Sequence, residues 1–179
     1  MVFPFGKEGH VWSSVEKSSI NIDPASIPLF LDKKKIVQQR VLASIDNPDL
    51  YFDICDAVSL DQCSPISDIT PIYCNLKKPT LRRIREGLLK KGFTIRVLFI
   101  ARDPFSRAWS MHRMDIKRKL KRYSERTEHA CPENSYKNFM ATHLNDYQQV
   151  RTRYEKILPR LFDVFAADEI GIFSMKAFF

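Results

Sequence analysis

Residues 94–110 read TIRVLFIARDPFSRAWS, and the order of residue types in this stretch decides the expected fold. Thr94 to Ala101 is a short β-branched and aliphatic run, which predicts a strand buried on both faces, as in a parallel sheet. Arg102 and Asp103 follow, and then Pro104, whose fixed φ and missing N–H suit the first position of a helix, with Asp103 as N-cap. A helix is predicted over 104–121. Strand, tight turn, helix is the order in which α/β proteins build anion sites, because the first N–H groups of the helix are unpaired and carry a partial positive charge. Arg102 stands at that turn and Ser110 about two turns into the helix, so the two are candidates for a phosphate clamp.

Working outward, a helix is predicted from Pro79, with Leu81, Ile84 and Leu88 on one face and Gly92 as its stop. Its other face carries Arg82, Arg83, Arg85, Lys90 and Lys91, read as a solvated face. An amphipathic helix is expected over 28–43 from Leu29, Phe30, Ile36, Val37 and Val41. Residues 1–27, with Pro4 and Pro24, are expected to be irregular, and 44–78 to be mixed loop and short elements. Beyond a polar linker at 124–134, a helix is predicted over 144–162, with Tyr147, Val150, Tyr154, Ile157 and Leu161 on one face, and a second short strand over 170–174. Helices alternating with buried strands favour an α/β fold. No repeat or low-complexity tract interrupts the chain.

The 179 residues are enough for one hydrophobic core, and a single domain over 1–179 is expected. A hydrophobic fraction of 44% argues against intrinsic disorder. No run approaches the roughly 18 apolar residues needed to span a bilayer, so no membrane segment is expected. A cytoplasmic location is the default expectation, with the reservation that an N-terminal signal or anchor could precede this stretch. Cys55, Cys63, Cys74 and Cys131 have neither paired zinc-ligand spacing nor a compact disulfide pattern; they read as packing thiols, with a Cys55–Cys63 bridge left open for an oxidising compartment. No metal is expected. The net charge of +8 predicts a surface that attracts anions, without choosing among nucleotide, acidic sugar, nucleic acid or membrane headgroup.

The run RDPFSRAWS over 102–110 resembles the 3′-phosphate-binding motif of sulfotransferases that use 3′-phosphoadenosine 5′-phosphosulfate as sulfate donor, in which an Arg-Asp-Pro is followed by Arg-Ala and a Ser. DITPIY over 68–73 and KEGHVW over 7–12 are similar to segments of the heparan-type and bacterial branch of that family, in the same order, and FAADEIGIFS over 165–174 looks like its helix-to-strand return. The resemblance implies an α/β, P-loop-NTPase-like three-layer fold with a parallel sheet. It implies that Arg102 and Ser110 bind the 3′-phosphate of the donor nucleotide, that Glu8 is the general base and that His10 assists or orients it. The implied reaction is transfer of a sulfuryl group to a hydroxyl or amine, with an anionic carbohydrate as a candidate acceptor.

Three departures from the family pattern bear on activity. No glycine-rich, lysine-bearing loop precedes Glu8 to hold the 5′-phosphosulfate; Ile69 stands where relatives place a Lys; and Phe179 arrives before the family's later basic loop. The resemblance therefore implies an incomplete fold that begins just after the phosphosulfate loop. Loss of one preorganised donor typically costs about 2.7–4 kcal/mol of transition-state stabilisation, so little or no activity is expected of this chain by itself, along with marginal stability near its ends. A non-catalytic sulfotransferase remnant is the main alternative. A P-loop kinase needs the same loop plus a metal-binding hydroxyl. A nucleic-acid-binding module would use the basic region from Arg113 to Arg126, with Lys117, Arg118, Lys119, Lys121 and Arg122, but this lacks interleaved aromatics or a helix-turn-helix or zinc pattern, so no nucleic acid is expected as partner.

Overall fold

A computed structural model describes residues 3–5, 10–18, 35–62, 65–124, 139–140 and 149–175. In chain order these form helices α1 (Val11–Ser18), α2 (Lys35–Asp46) and α3 (Leu50–Gln62), a 3-10 turn (Pro71–Asn75), helix α4 (Lys78–Lys90), strand β1 (Val97–Ala101), helices α5 (Pro104–Ser124) and α6 (Tyr154–Phe162), a second 3-10 turn (Ala167–Glu169) and strand β2 (Ile170–Ser174). The chain is mixed α/β. It divides into two compact units, one of residues 1–96 and 157–169, the other of residues 97–156 and 170–179.

The first unit is helical and built around aromatic rings. Phe5 stacks on Tyr51 at 4.6 Å, Trp12 meets the Tyr51 ring edge-on at 5.2 Å, and Phe52 lies 5.6 Å from both Trp12 and Tyr51. Such pairs add about 0.5–1.5 kcal/mol each beyond their buried area. Tyr51, Phe52, Cys55 and Val58 are all buried and place α3 against this cluster at i, i+1, i+4 and i+7. That spacing predicts a helix, so the expectation of short elements over 44–78 is corrected. The irregularity expected over 1–27 also fails at α1, which buries Val11 and Trp12 completely. The N-terminal part of the helix expected over 28–43 falls outside the described residues; the described part runs on to Asp46.

Helix α4 forms as the sequence predicts, with Pro79 in its first turn and Gly92 at its end. Gly92 has φ +78°, a conformation L side chains rarely adopt, and its N–H donates to Leu89 O at 2.9 Å. Inside the helix, a Cβ on Gly87 would land on the Phe52 ring, so only glycine lets α4 approach α3 this closely. The basic face is not merely solvated. Arg83 pairs with Asp49 at 2.9 Å, Lys91 with Asp53 at 2.7 Å, and Arg85 makes a two-pronged pair with Glu169 at 2.9 and 3.1 Å. These bonds join residues 34 to 84 positions apart, which helical periodicity cannot foresee.

In the second unit β1 and β2 pair in parallel, with Val97 opposite Ile170 and Ala101 opposite Ser174. The parallel pairing agrees with the expectation; the double-sided burial does not. Val97, Phe99 and Ala101 are half-buried, whereas Leu98 and Ile100 are 68% and 56% exposed. An apolar run reads alike whether one face or two are covered. Helix α5 begins at Pro104 as predicted and continues to Ser124. The helix expected over 144–162 is interrupted by a turn at residues 151–152, after which α6 begins at Tyr154; residues 144–148 lie outside the described set.

Candidate functional site

The turn between β1 and α5 is held from both ends. Asp103 caps α5: Ser106 N–H donates to Asp103 Oδ1 at 2.7 Å and Arg107 N–H to Asp103 O at 3.0 Å. On the strand side, the Tyr154 hydroxyl accepts from Arg102 N–H at 3.2 Å and donates to Arg102 O at 2.7 Å. The Tyr154 ring stands edge-on to Phe99 of β1 at 5.6 Å.

An open groove of about 540 Å³ begins at this turn and follows α5. Arg102, Ser106, Ser110, Arg113 and Lys117 line it at spacings of three and four residues, the period of one helix face. Phe105, Trp109 and Met114 complete the lining. Among the described residues that line the groove none is acidic, three are cationic and two offer hydroxyls, so its chemistry suits an anion. Arg102 and Ser110, expected from sequence as a clamp, do line one groove. Arg113 and Lys117 were read only as part of a basic run, and their four-residue spacing from one another was the available signal. Phe105 and Trp109 pack on Phe139, ring centroids 5.8 and 5.4 Å away, and still leave 63% and 38% of their surface exposed.

Of the other expected site residues, the described one, His10, belongs to the first unit. Glu8 lies outside the described residues. His10 precedes α1 with φ +55°, a left-handed conformation that costs a non-glycine residue roughly 1–2 kcal/mol, and its carbonyl accepts from Ser14 N–H at 3.0 Å and from the Ser13 hydroxyl at 2.9 Å. Its side chain is exposed.

Next to His10 lies a polar cluster in the segment 68–73. The Asp68 carboxylate accepts from the hydroxyls of Thr70 at 2.7 Å, Tyr73 at 3.0 Å and Tyr51 at 3.1 Å. Tyr73 Oη in turn accepts from Trp12 N–H at 3.3 Å. Burial raises the Asp68 pKa above its ordinary 3.8; the three hydroxyls and the neighbouring His10 act in the opposite direction. Burial, and then the Asp68 charge, push the Cys55 thiol up to about 12 and raise the Tyr51 and Tyr73 phenols. A thiol held that high is a packing group rather than a nucleophile, and Cys55 forms no disulfide; Cys63 and Cys131 lie outside the described residues. Asp68 thus ties α3, the 3-10 turn and α1 together, whereas Ile69 beside it is 46% exposed and carries no charge.

Among the described residues no group of three or more His, Cys, Asp or Glu side chains could hold a metal ion, and no helix is long and apolar enough to cross a membrane. No family model, curated protein or solved structure matches the chain.

Proposed function

We propose that this chain is a sulfotransferase-type protein whose α5 groove binds the 3′-phosphate of a 3′-phosphoadenosine nucleotide, within a P-loop-NTPase-like three-layer fold. The observation that carries the reading is the grouping of Arg102 and Ser110 in one cationic groove directly after a parallel strand. Arg102 supplies a planar fork of donors that fits phosphate, Ser110 a hydroxyl donor, and the first turn of α5 its partial positive charge. Arg113 and Lys117 extend the positive field along the groove.

In this reading the donor is 3′-phosphoadenosine 5′-phosphosulfate, and the acceptor is a hydroxyl or amine, with an anionic carbohydrate as the candidate class. Transfer requires a base to take the acceptor's proton during in-line attack and cations to stabilise charge on the sulfuryl group and the leaving phosphate. Glu8 is the proposed base and His10 its assistant. The 179 residues contain no glycine-rich loop for the phosphosulfate and no lysine at position 69, so nucleotide binding is expected to outlast catalysis in this chain by itself.

Calorimetric titration with 3′-phosphoadenosine 5′-phosphate tests the reading. Binding that weakens at least tenfold in Arg102→Ala, as expected for loss of a charge-assisted contact worth about 1.5–3 kcal/mol, and less strongly in Ser110→Ala supports it. Absence of binding by a folded chain rejects it. Strongly salt-dependent binding of RNA or DNA in place of the nucleotide would support a nucleic-acid module instead.

A further inference from the structure

Arg102 is the first residue past the end of β1, whose pairing with β2 stops at Ala101 and Ser174. Its backbone N–H and C=O are obligatory hydrogen-bonding groups, and their partners fix how the peptide lies at this strand end. Here both groups are bound by one atom, the Tyr154 hydroxyl, which accepts from the N–H and donates to the carbonyl. The phenol is itself aimed by the edge-on contact of its ring with Phe99, two residues before the end of the same strand. Tyr154 is half-buried and opens α6, 52 residues beyond Arg102.

We infer that Tyr154 is a positioning residue for the anion groove: its hydroxyl sets the Arg102 peptide in the one conformation that sends the guanidinium into the groove before any ligand arrives. This rests on the reading that the groove takes a 3′-phosphate. Tyr154 does not line the groove and acts through Arg102. Removing the hydroxyl leaves the ring against Phe99 but frees the peptide, so the fraction of molecules with Arg102 in place falls, and apparent affinity falls in proportion to that fraction. The loss is confined to ligands that use Arg102.

The test compares wild type, Arg102→Ala, Tyr154→Phe and the double variant in calorimetric titrations with 3′-phosphoadenosine 5′-phosphate and with adenosine 5′-phosphate, which lacks the 3′-phosphate. The expected result is a loss of about tenfold in affinity for the 3′-phosphorylated nucleotide in Tyr154→Phe, equivalent to about 1.4 kcal/mol. Affinity for adenosine 5′-phosphate is expected to stay unchanged, and the double variant to be no weaker than Arg102→Ala. Wild-type affinity in Tyr154→Phe, equal losses for both nucleotides, or additive losses in the double variant would overturn the role of Tyr154 and leave the groove reading standing. A wild-type chain that fails to bind, or an Arg102→Ala variant that binds normally, overturns the groove reading and this inference with it. If Tyr154→Phe does not fold, hydrogen exchange on the ligand-free wild type decides: the inference requires the Arg102 amide to be protected as well as the amides of β1, and exchange at a loop-like rate overturns it.

Discussion

Replacing Asp68 by Ala removes an acceptor on which three hydroxyls converge, and the structure fixes what each of them loses. Tyr51, Thr70 and Tyr73 each lose their bond to Asp68, at 3.1, 2.7 and 3.0 Å, while Tyr73 still accepts from the Trp12 N–H. At about 1 kcal/mol of net stability per bond, the sum is about 3 kcal/mol, reduced because burying the carboxylate carries a cost that alanine does not. A loss of about 2–3 kcal/mol is expected. Asp68→Asn has the same shape and can keep its carbonyl where Oδ2 receives both tyrosines, so about 1 kcal/mol is expected there. The assay is equilibrium unfolding in urea, with midpoint and slope compared among the three proteins. The pH dependence supplies a second reading of the same residue. Because the folded-state pKa of Asp68 is raised above 3.8, the native protein binds more protons than the unfolded chain between that value and the raised one. The contribution of Asp68 to stability is therefore greatest below 3.8 and declines as pH rises through the raised pKa, and Asp68→Asn removes this component. An alanine variant within about 0.5 kcal/mol of wild type, the range of an ordinary surface substitution, would refute the reasoning.

Gly87→Ala gains about 1 kcal/mol of helix propensity but forces a methyl onto Phe52, which Trp12 and Tyr51 hold in place, at about 1–3 kcal/mol. A net loss of about 1 kcal/mol, or about 2–4 °C in melting temperature, is expected; a higher melting temperature would show that α3 and α4 are not packed this closely. Cys55, 1% exposed and with its thiol pKa pushed up to about 12, is expected to resist iodoacetamide at pH 8 in the native protein and to react once urea unfolds it. Rapid native-state labelling would count against its burial. Nucleotide affinity is expected to fall with added salt, because Arg102, Arg113 and Lys117 share one open groove; affinity independent of salt would mean that these cations do not meet the ligand.

The parts of the fold legible in the sequence are those written in neighbouring residues. Asp103 and Pro104 announce the start of α5, Gly92 the end of α4, and the runs at Val97–Ala101 and Ile170–Ser174 the two strands. Helix α3 carried a readable period in Tyr51, Phe52, Cys55 and Val58, but Leu60, 75% exposed, blurs the apolar stripe. Helix α1 is eight residues long, too short for periodicity to separate it from a loop. What sequence reasoning could not supply is contact across distance: the Arg85–Glu169 pair, the convergence of Tyr51 and Tyr73 on Asp68, and the hold of Tyr154 on Arg102. The candidate clamp shows the same division. Arg102 and Ser110 were readable from local order, while the four-residue spacing of Arg113 and Lys117 fits a solvated helix face equally well until that face is laid out as a groove.

The central claim is that the α5 groove receives a 3′-phosphorylated nucleotide, and amide chemical-shift mapping during titration with 3′-phosphoadenosine 5′-phosphate tests it most directly. The account predicts the largest shifts at Arg102, Ser106, Ser110 and Arg113, with little response at those positions to adenosine. Shifts centred elsewhere, or no shifts in a folded protein at millimolar nucleotide, would contradict it.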